Sequence, residues 1–203
     1  MHLPMSMSHG CLSRSRPIDV TALREQVTGI VLAGGQGRRM GGIDKGLVEF
    51  SDRPLVAHVL ERFAPQVAGV LVNANQNASR YATFGWPVVA DAVGGFAGPL
   101  AGLHAGLTQA GRPLVCTVPC DSPFLPLDLV ARLAAAFDDP GIQLAVARTF
   151  DQPHPVFALV RREVLPHLAA FLDRGGRKID AWYASLAVVE VAFDDEADAF
   201  RNI

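Results

Sequence analysis

The strongest constraint on the fold is a regular alternation, from Thr28 onward, of short β-rich runs with longer helical ones. The runs predicted as strands are 29–33, 69–74, 87–90, 113–118, 143–148, 156–160 and 187–193. The stretches predicted as helices are 54–64, 99–110, 127–137 and 163–172. Because several strands are almost continuously apolar, both faces of the sheet are expected to be covered. The pattern therefore predicts an α/β fold with a mostly parallel, Rossmann-like sheet that binds ligands at the carboxyl ends of its strands.

Composition favours one globular domain, since half of the 203 residues are hydrophobic and 19% are charged. Residues 1–26 show no sustained hydrophobic period, so we expect a flexible N-terminal extension followed by a single domain over 27–203. Cys116 and Cys120 have the same parity on a predicted strand and are expected to be buried, reduced thiols.

Charge argues against a nucleic-acid partner, and hydropathy argues against a membrane-spanning segment. A formal net charge of -2 provides no general basic field for a nucleic-acid backbone, so a small ligand is favoured over DNA or RNA. No apolar run reaches the roughly 18 residues that a membrane-spanning helix needs, and the first residues lack a secretory apolar stretch. We expect a cytoplasmic protein.

A glycine-rich, cationic loop directly follows the first strand, over residues 32–46. Its glycines, which include Gly34, Gly35 and Gly37, allow backbone amides to approach a ligand closely. The loop also carries three cations within a span of eight residues, namely Arg38, Arg39 and Lys45. Such a loop is typical of a polyphosphate site. The alternative for the arginines is a solvated surface patch, whereas Lys45 at the end of the loop is the stronger candidate ligand.

Two common phosphate-binding motifs are absent from this loop. The dinucleotide motif GxGxxG would require glycine where Met40 stands, and the P-loop motif GxxxxGK[ST] would require lysine where Ile43 stands.

Polar residues follow three more predicted strands. The strand predicted at 113–118 runs into a turn that carries Asp121. A carboxylate at the carboxyl end of a strand suits Mg²⁺ together with substrate phosphates. The alternative role of Asp121 is to start a turn or cap the next helix. Two other strands are followed by polar residues, one by Asn73 and Asn75 and the other by Asp91. These side chains suit a nucleoside, although each is also an ordinary turn former. Together these strand ends predict one crevice for a nucleoside triphosphate.

His154, between two prolines, is interpreted as an ordinary structural residue because no Ser or Cys partner for a hydrolytic triad is evident.

Taken as a set and in this order, seven segments resemble the molybdenum cofactor guanylyltransferase family. They are LAGGQGRRMGGIDKGL, VNAN, the strand end at Asp91, GPLAGL, PCDSPF, HPVFAL and DAFRN, which span about residues 28–202. The resemblance implies a three-layer α/β/α sandwich of the nucleotide-diphospho-sugar transferase type. It also implies transfer of GMP from GTP to molybdopterin, with release of pyrophosphate. Molybdenum-insertion proteins and apo-molybdoenzymes are further partners that it implies.

The same resemblance assigns roles to residues already selected. It places Leu32, Ala33 and Gly34 against the nucleotide, Lys45 on its phosphates, Asn73 and Asp91 on the guanosine portion and Asp121 on Mg²⁺. Lys45, Arg39 and loop amides would neutralise charge during the transfer.

Three other functions remain open at this point. A molybdopterin cytidylyltransferase or a sugar-phosphate nucleotidyltransferase would share the fold, although cytidylyl relatives usually have LAAG where this chain has LAGG from Leu32 to Gly35. A non-catalytic carrier that binds GTP is the alternative from another class. Such a carrier would not need both Lys45 and Asp121.

Overall fold

The computed structural model describes residues 20–34, 44–93 and 98–203. Its strands are β1 (Val27–Leu32), β2 (Glu49–Phe50), β3 (Arg53–Pro54), β4 (Gly69–Asn73), β5 (Val88–Val89), β6 (Leu114–Pro119), β7 (Leu144–Thr149), β8 (Gln152–Arg161) and β9 (Val188–Ala192). Its α-helices are α1 (Val20–Arg24), α2 (Leu55–Phe63), α3 (Ala78–Ala82), α4 (Pro99–Gln109), α5 (Leu129–Ala135), α6 (Leu165–Asp173) and α7 (Ile179–Tyr183).

Seven strands form one sheet in the order β5-β4-β1-β6-β8-β7-β9, and β2 with β3 forms a separate small hairpin. The pairs β1–β4, β1–β6, β4–β5 and β7–β9 are parallel. Only β8 runs antiparallel to its neighbours in this sheet. All seven predicted strands are therefore present, and the prediction of a mostly parallel sheet is confirmed.

Each face of the sheet carries its own apolar core, which makes the fold a three-layer sandwich. Alternating residues of β1 enter opposite cores: Val27 and Val31 pack with helices α2 and α5, and Ile30 packs with α4, α6 and α7. This alternation follows from the two-residue period of a strand. Cys116 and Cys120 are buried on the α2 side as free thiols, as predicted.

Helix α4 lies very close to the sheet because its contacting face carries glycine. A Cβ at Gly106 would collide with the side chain of Ile30, and a Cβ at Gly102 would collide with Leu32 and Asn73. The helix therefore holds the carboxyl ends of β1 and β4 at a fixed distance, which is where the predicted ligand residues lie.

Part of the segment 1–26, predicted as a flexible extension, is helical in the structure. Helix α1 lies within that segment, and Arg24 Nε donates to the backbone oxygen of Val67 at 3.0 Å. Folded structure therefore begins by Val20, and residues 1–19 lie outside the described part of the chain. In the described ranges, no helix has the length and apolarity required to cross a bilayer.

Candidate active site

The carboxyl ends of β1, β4 and β6 are joined by backbone hydrogen bonds. The N–H of Ala33 donates to Asn73 O at 2.8 Å, and the N–H of Cys120 donates to Leu32 O at 3.2 Å. The chain segments that follow these strands therefore leave the sheet side by side. Leu32, Ala33 and Gly34 occupy the middle of this edge, and the carboxyl edge of a parallel sheet is where α/β proteins bind ligands.

Asn73, Asn75 and Asp91 form one network on the β4–β5 side of the edge. Asn73 Nδ2 donates to Asp91 Oδ1 and Asn75 Nδ2 donates to Asp91 Oδ2, each at 2.8 Å. Asn75 Oδ1 accepts from the N–H of Asp91 at 2.8 Å, and its Nδ2 also lies 3.3 Å from Gly34 O. Both carboxylate oxygens are thus fixed in direction while keeping lone pairs for a ligand. Asn73 is buried, whereas Asp91 is half-buried.

Lys45 and Asp121 form an ion pair on the β6 side. Lys45 Nζ lies 3.0 Å from Asp121 Oδ2, and the two side chains are 41% and 12% exposed. Lys45 opens a single 3-10 turn, Lys45–Leu47, and Asp121 lies two residues beyond β6. The residue before α5 is Asp128, so Asp121 does not cap that helix. The alternative that Asp121 is a helix cap is therefore excluded.

A second carboxylate, Asp44, anchors the backbone next to Lys45. Tyr81 Oη donates to Asp44 Oδ1 at 2.5 Å, and Asn77 Nδ2 donates to Asp44 Oδ2 at 2.9 Å. Burial raises the pKa of Tyr81 far above its ordinary value, so the hydroxyl remains a donor. A Cβ at Gly46 would lie 2.5 Å from that hydroxyl oxygen and 3.1 Å from Cys120 Sγ. These contacts hold the backbone on either side of Lys45 in place, and the sequence did not predict them.

The last residues of the chain pack against the loop that follows Asp121. Ser122 Oγ donates to Asn202 Oδ1 at 2.8 Å, and the N–H of Ile203 donates to Asp121 O at 3.0 Å. The loop that carries Asp121 is therefore bound on one side by Lys45 and on the other by the C-terminal segment. The Cys120 thiol beside it is inert, because burial raises its pKa to about 12.

His154 is partly buried and packs within the fold. Its ring stacks on Phe200 with centroids 4.7 Å apart, and its Nε2 lies 2.7 Å from Thr149 Oγ1. Burial lowers the pKa of His154, which favours a neutral imidazole. This packing agrees with the structural role predicted for it.

The structure therefore brings seven of the predicted site residues to one edge of the sheet: Leu32, Ala33, Gly34, Lys45, Asn73, Asp91 and Asp121. They form two networks, and the chain segment from Asn75 to Asn77 bridges them, since Asn77 binds Asp44. Gly35, Gly37 and Arg39 lie outside the described residues.

A mostly parallel sheet with polar groups and a lysine–carboxylate pair at its carboxyl edge is typical of the α/β class of nucleotide-binding proteins. Residues 29–188 match the family described as the MobA-like NTP transferase domain. The chain belongs to this family.

Relatives and solved structures agree with that assignment. A molybdenum cofactor guanylyltransferase of Cupriavidus taiwanensis is 52% identical over 185 residues, which cover 89% of this chain and 92% of the relative. The protein of the same name from Shewanella loihica is 45% identical, with 88% and 91% covered. The crystal structure of molybdopterin-guanine dinucleotide biosynthesis protein A from Archaeoglobus fulgidus aligns with a TM-score of 0.71 at 26% identity and covers 87% of this chain and 91% of that one.

Proposed function

We propose that this chain transfers GMP from GTP to molybdopterin, forming molybdopterin guanine dinucleotide and pyrophosphate. The observation that carries the proposal is the meeting of Lys45 and Asp121, 3.0 Å apart, with the amide–carboxylate network at the same edge of the sheet. Relatives of about half identity over nearly the whole chain carry the name molybdenum cofactor guanylyltransferase. A carrier protein without activity would have no use for a cation and a carboxylate beside the α-phosphate.

The guanosine portion is assigned to the network of Asn73, Asn75 and Asp91. Guanine and ribose offer N–H and O–H donors, and a carboxylate with both oxygens already oriented by amides is well placed to accept them. Leu32, Ala33 and Gly34 are at the end of β1, which lies between β4 and β6 in the sheet, and are assigned to the nucleotide between this network and Lys45. A side chain at Gly34 would meet the Asn73 and Asn75 amides, with Asn73 Oδ1 at 2.8 Å, so only glycine leaves the space free.

The triphosphate is assigned to Lys45, with Arg39 and the backbone amides of the glycine-rich loop as further donors. A lysine is a compact point charge suited to phosphate oxygens. Lys45 is the group that would neutralise charge that develops as pyrophosphate leaves.

Mg²⁺ is assigned to Asp121. Among the described residues, no group of three or more His, Cys, Asp and Glu side chains is arranged as a metal site. One carboxylate nevertheless fits Mg²⁺, which commonly takes one or two carboxylates with phosphates and water as its other ligands. Asp121 Oδ1 has no hydrogen-bond partner within the described ranges, while Oδ2 bonds Lys45. When bound, Mg²⁺ would supply charge neutralisation at the α- and β-phosphates.

In the reaction, an oxygen of the acceptor's terminal phosphate attacks the α-phosphorus of GTP. The bond from the α-phosphorus to the oxygen bridging the β-phosphorus breaks, and that oxygen leaves with pyrophosphate. The acceptor phosphate is already ionised, so no side chain has to remove a proton. The residues of this chain act by positioning the two substrates and by neutralising charge, as is usual in phosphoryl transfer.

The experiment that tests the proposal is pyrophosphate release with each of the four nucleoside triphosphates, with and without molybdopterin. We expect release with GTP only, and only when molybdopterin and Mg²⁺ are both present. Release with CTP in place of GTP would show a cytidylyltransferase. GTP binding without any release would show a carrier.

A further inference from the structure

Asp91 and Asp44, which belong to the two networks of the candidate site, are both held by one short segment of the chain. This segment, residues 73–81, begins at the last residue of β4, continues through a loop and ends in helix α3. Asn73 and Asn75, in its first half, donate to the two oxygens of Asp91 at 2.8 Å each. The position of the segment and the direction of this carboxylate therefore depend on each other.

The second half of the segment holds Asp44 in the same way. Asn77 Nδ2 donates to Asp44 Oδ2 at 2.9 Å, and Tyr81 Oη, one helical turn further on, donates to Oδ1 at 2.5 Å. Asp44 directly precedes Lys45, which is assigned to the triphosphate. One stretch of nine residues thus fixes both oxygens of a carboxylate on the nucleoside side and both oxygens of a carboxylate on the phosphate side.

Asn77 has a backbone conformation and a side-chain contact that its place at the start of α3 does not explain. Its φ of +52° and ψ of 29° lie in the left-handed region, which asparagine tolerates better than most residues. At this N-cap position an asparagine side chain usually accepts a hydrogen bond from the first turn, but Asn77 makes no such bond. Its amide is directed at Asp44 instead. The loop residues 75–77 are exposed and belong to neither apolar core, so polar contacts determine the position of the loop.

We propose that the segment 73–81 couples recognition of the nucleoside to the placement of Lys45, with Asn77 as the positioning residue; this inference rests on the proposed function. A ligand that donates to Asp91 restricts that carboxylate and the asparagines bonded to it. This restriction lowers the entropic cost of holding Asn77 against Asp44, because both contacts belong to one short stretch of chain. Binding on the nucleoside side then favours binding on the phosphate side, and the reverse holds to the same extent.

Guanosine and inorganic pyrophosphate, two separate parts of the substrate, test this coupling without any transfer reaction. In the unmodified protein with Mg²⁺, saturating guanosine should lower the Kd for pyrophosphate, measured by calorimetry, about fivefold to tenfold. In Asn77→Gly the same addition should change that Kd less than about twofold. The Kd for guanosine alone should not change, since Asp91 and its asparagines remain. Glycine adopts a positive φ without strain, so the melting temperature should stay within about 3 °C.

Two further variants separate the Asn77 amide from the loop as a whole. Asn77→Asp keeps the size and the tolerance of a left-handed backbone, but a carboxylate cannot donate to Asp44, so this variant should also lose the coupling. Gln76→Ala changes the exposed neighbour, which makes no hydrogen bond in the described part of the chain, and should keep the full coupling.

Independent binding of guanosine and pyrophosphate to the unmodified protein would overturn the inference, and so would coupling of equal size in Asn77→Gly. Loss of the coupling in Gln76→Ala would also overturn it, because the loop rather than the Asn77 amide would then be responsible. These measurements do not depend on GMP transfer. If molybdopterin accepts no GMP but the coupling is present and disappears in Asn77→Gly, the proposed function fails and the coupling stands. GMP transfer by a protein without the coupling would give the opposite result.

Discussion

At the scale of single residues, the candidate site depends on carboxylates whose oxygens are nearly all engaged. Asp44 is bound by Tyr81 and Asn77, and Asp91 by two asparagines, whereas Asp121 bonds only Lys45 through one oxygen among the described residues. Asp44 therefore holds the backbone beside Lys45, Asp91 keeps lone pairs for the donors of a nucleoside, and Asp121 has an oxygen without a hydrogen bond that can take a cation.

The Asp121→Asn variant should lose at least about a hundredfold in turnover, on the order of 2.7 kcal/mol of transition-state stabilisation, because the amide keeps the shape but not the charge. The free energy of unfolding should barely change, since the Lys45 side chain is 41% exposed and stays solvated when its partner becomes an amide. Steady-state pyrophosphate release measures the effect. Asp128→Asn, which changes an exposed carboxylate next to α5, is the matched control and should remain fully active.

The Tyr81→Phe variant tests whether the Asp44 clamp positions Lys45. Loss of one hydroxyl should cost roughly 1–2 kcal/mol of stability and weaken GTP binding roughly threefold to tenfold. Tyr183→Phe removes the other buried tyrosine hydroxyl, which donates to Pro155 O, and should cost similar stability without changing GTP affinity. Equal GTP affinity in both variants would show that Lys45 does not depend on the clamp.

At the scale of elements, the sheet was predictable because six of its seven strands have five or more residues and several are almost continuously apolar, whereas the shortest helices were not predictable. Helices α1, α3 and α7 have five residues each, too few for a hydrophobic period to be recognised. They are stabilised by tertiary burial, as with Tyr81 on α3 and Trp182 on α7. The same limit applies to the site: strand-end residues were predictable, but the Asp44–Tyr81 contact joins positions 37 apart in sequence.

The contact between α4 and β1 provides a prediction at this scale. Gly106→Ala should destabilise the protein by roughly 1–3 kcal/mol, because the added methyl group collides chiefly with the Cδ1 of Ile30. Ile30→Val removes that carbon, so the double variant should recover more than half of the loss in a denaturant unfolding cycle. Gly111→Ala meets no atom within 4 Å and serves as the control. Additive effects of the Gly106 and Ile30 substitutions would disprove the close contact.

At the scale of the whole molecule, GTP should stabilise the fold, because its proposed ligands come from chain segments that separate on unfolding. These ligands lie at different places along the chain, so only the folded chain brings them together. They are Asn73 at the end of β4, Asp91 after β5, Asp121 after β6 and Lys45 in the turn before β2. At a GTP concentration of 100 times Kd, the expected stabilisation is about 2.7 kcal/mol. For a chain of this length that corresponds to a rise in melting temperature of roughly 5–10 °C.

Lys45→Ala should reduce this thermal shift to less than half at the same GTP concentration, since losing a charge-assisted phosphate contact costs roughly 1.5–3 kcal/mol of binding. Lys178 is the only other lysine in the chain, so Lys178→Ala imposes the same change of charge away from the crevice and should keep the full shift. Differential scanning calorimetry with GTP and with CTP measures all three proteins. If Lys178→Ala lost as much of the shift as Lys45→Ala, the effect of GTP would reflect overall charge rather than a phosphate site at Lys45. A shift with CTP as large as that with GTP would remove the guanine assignment and leave the nucleotide-binding edge of the sheet intact.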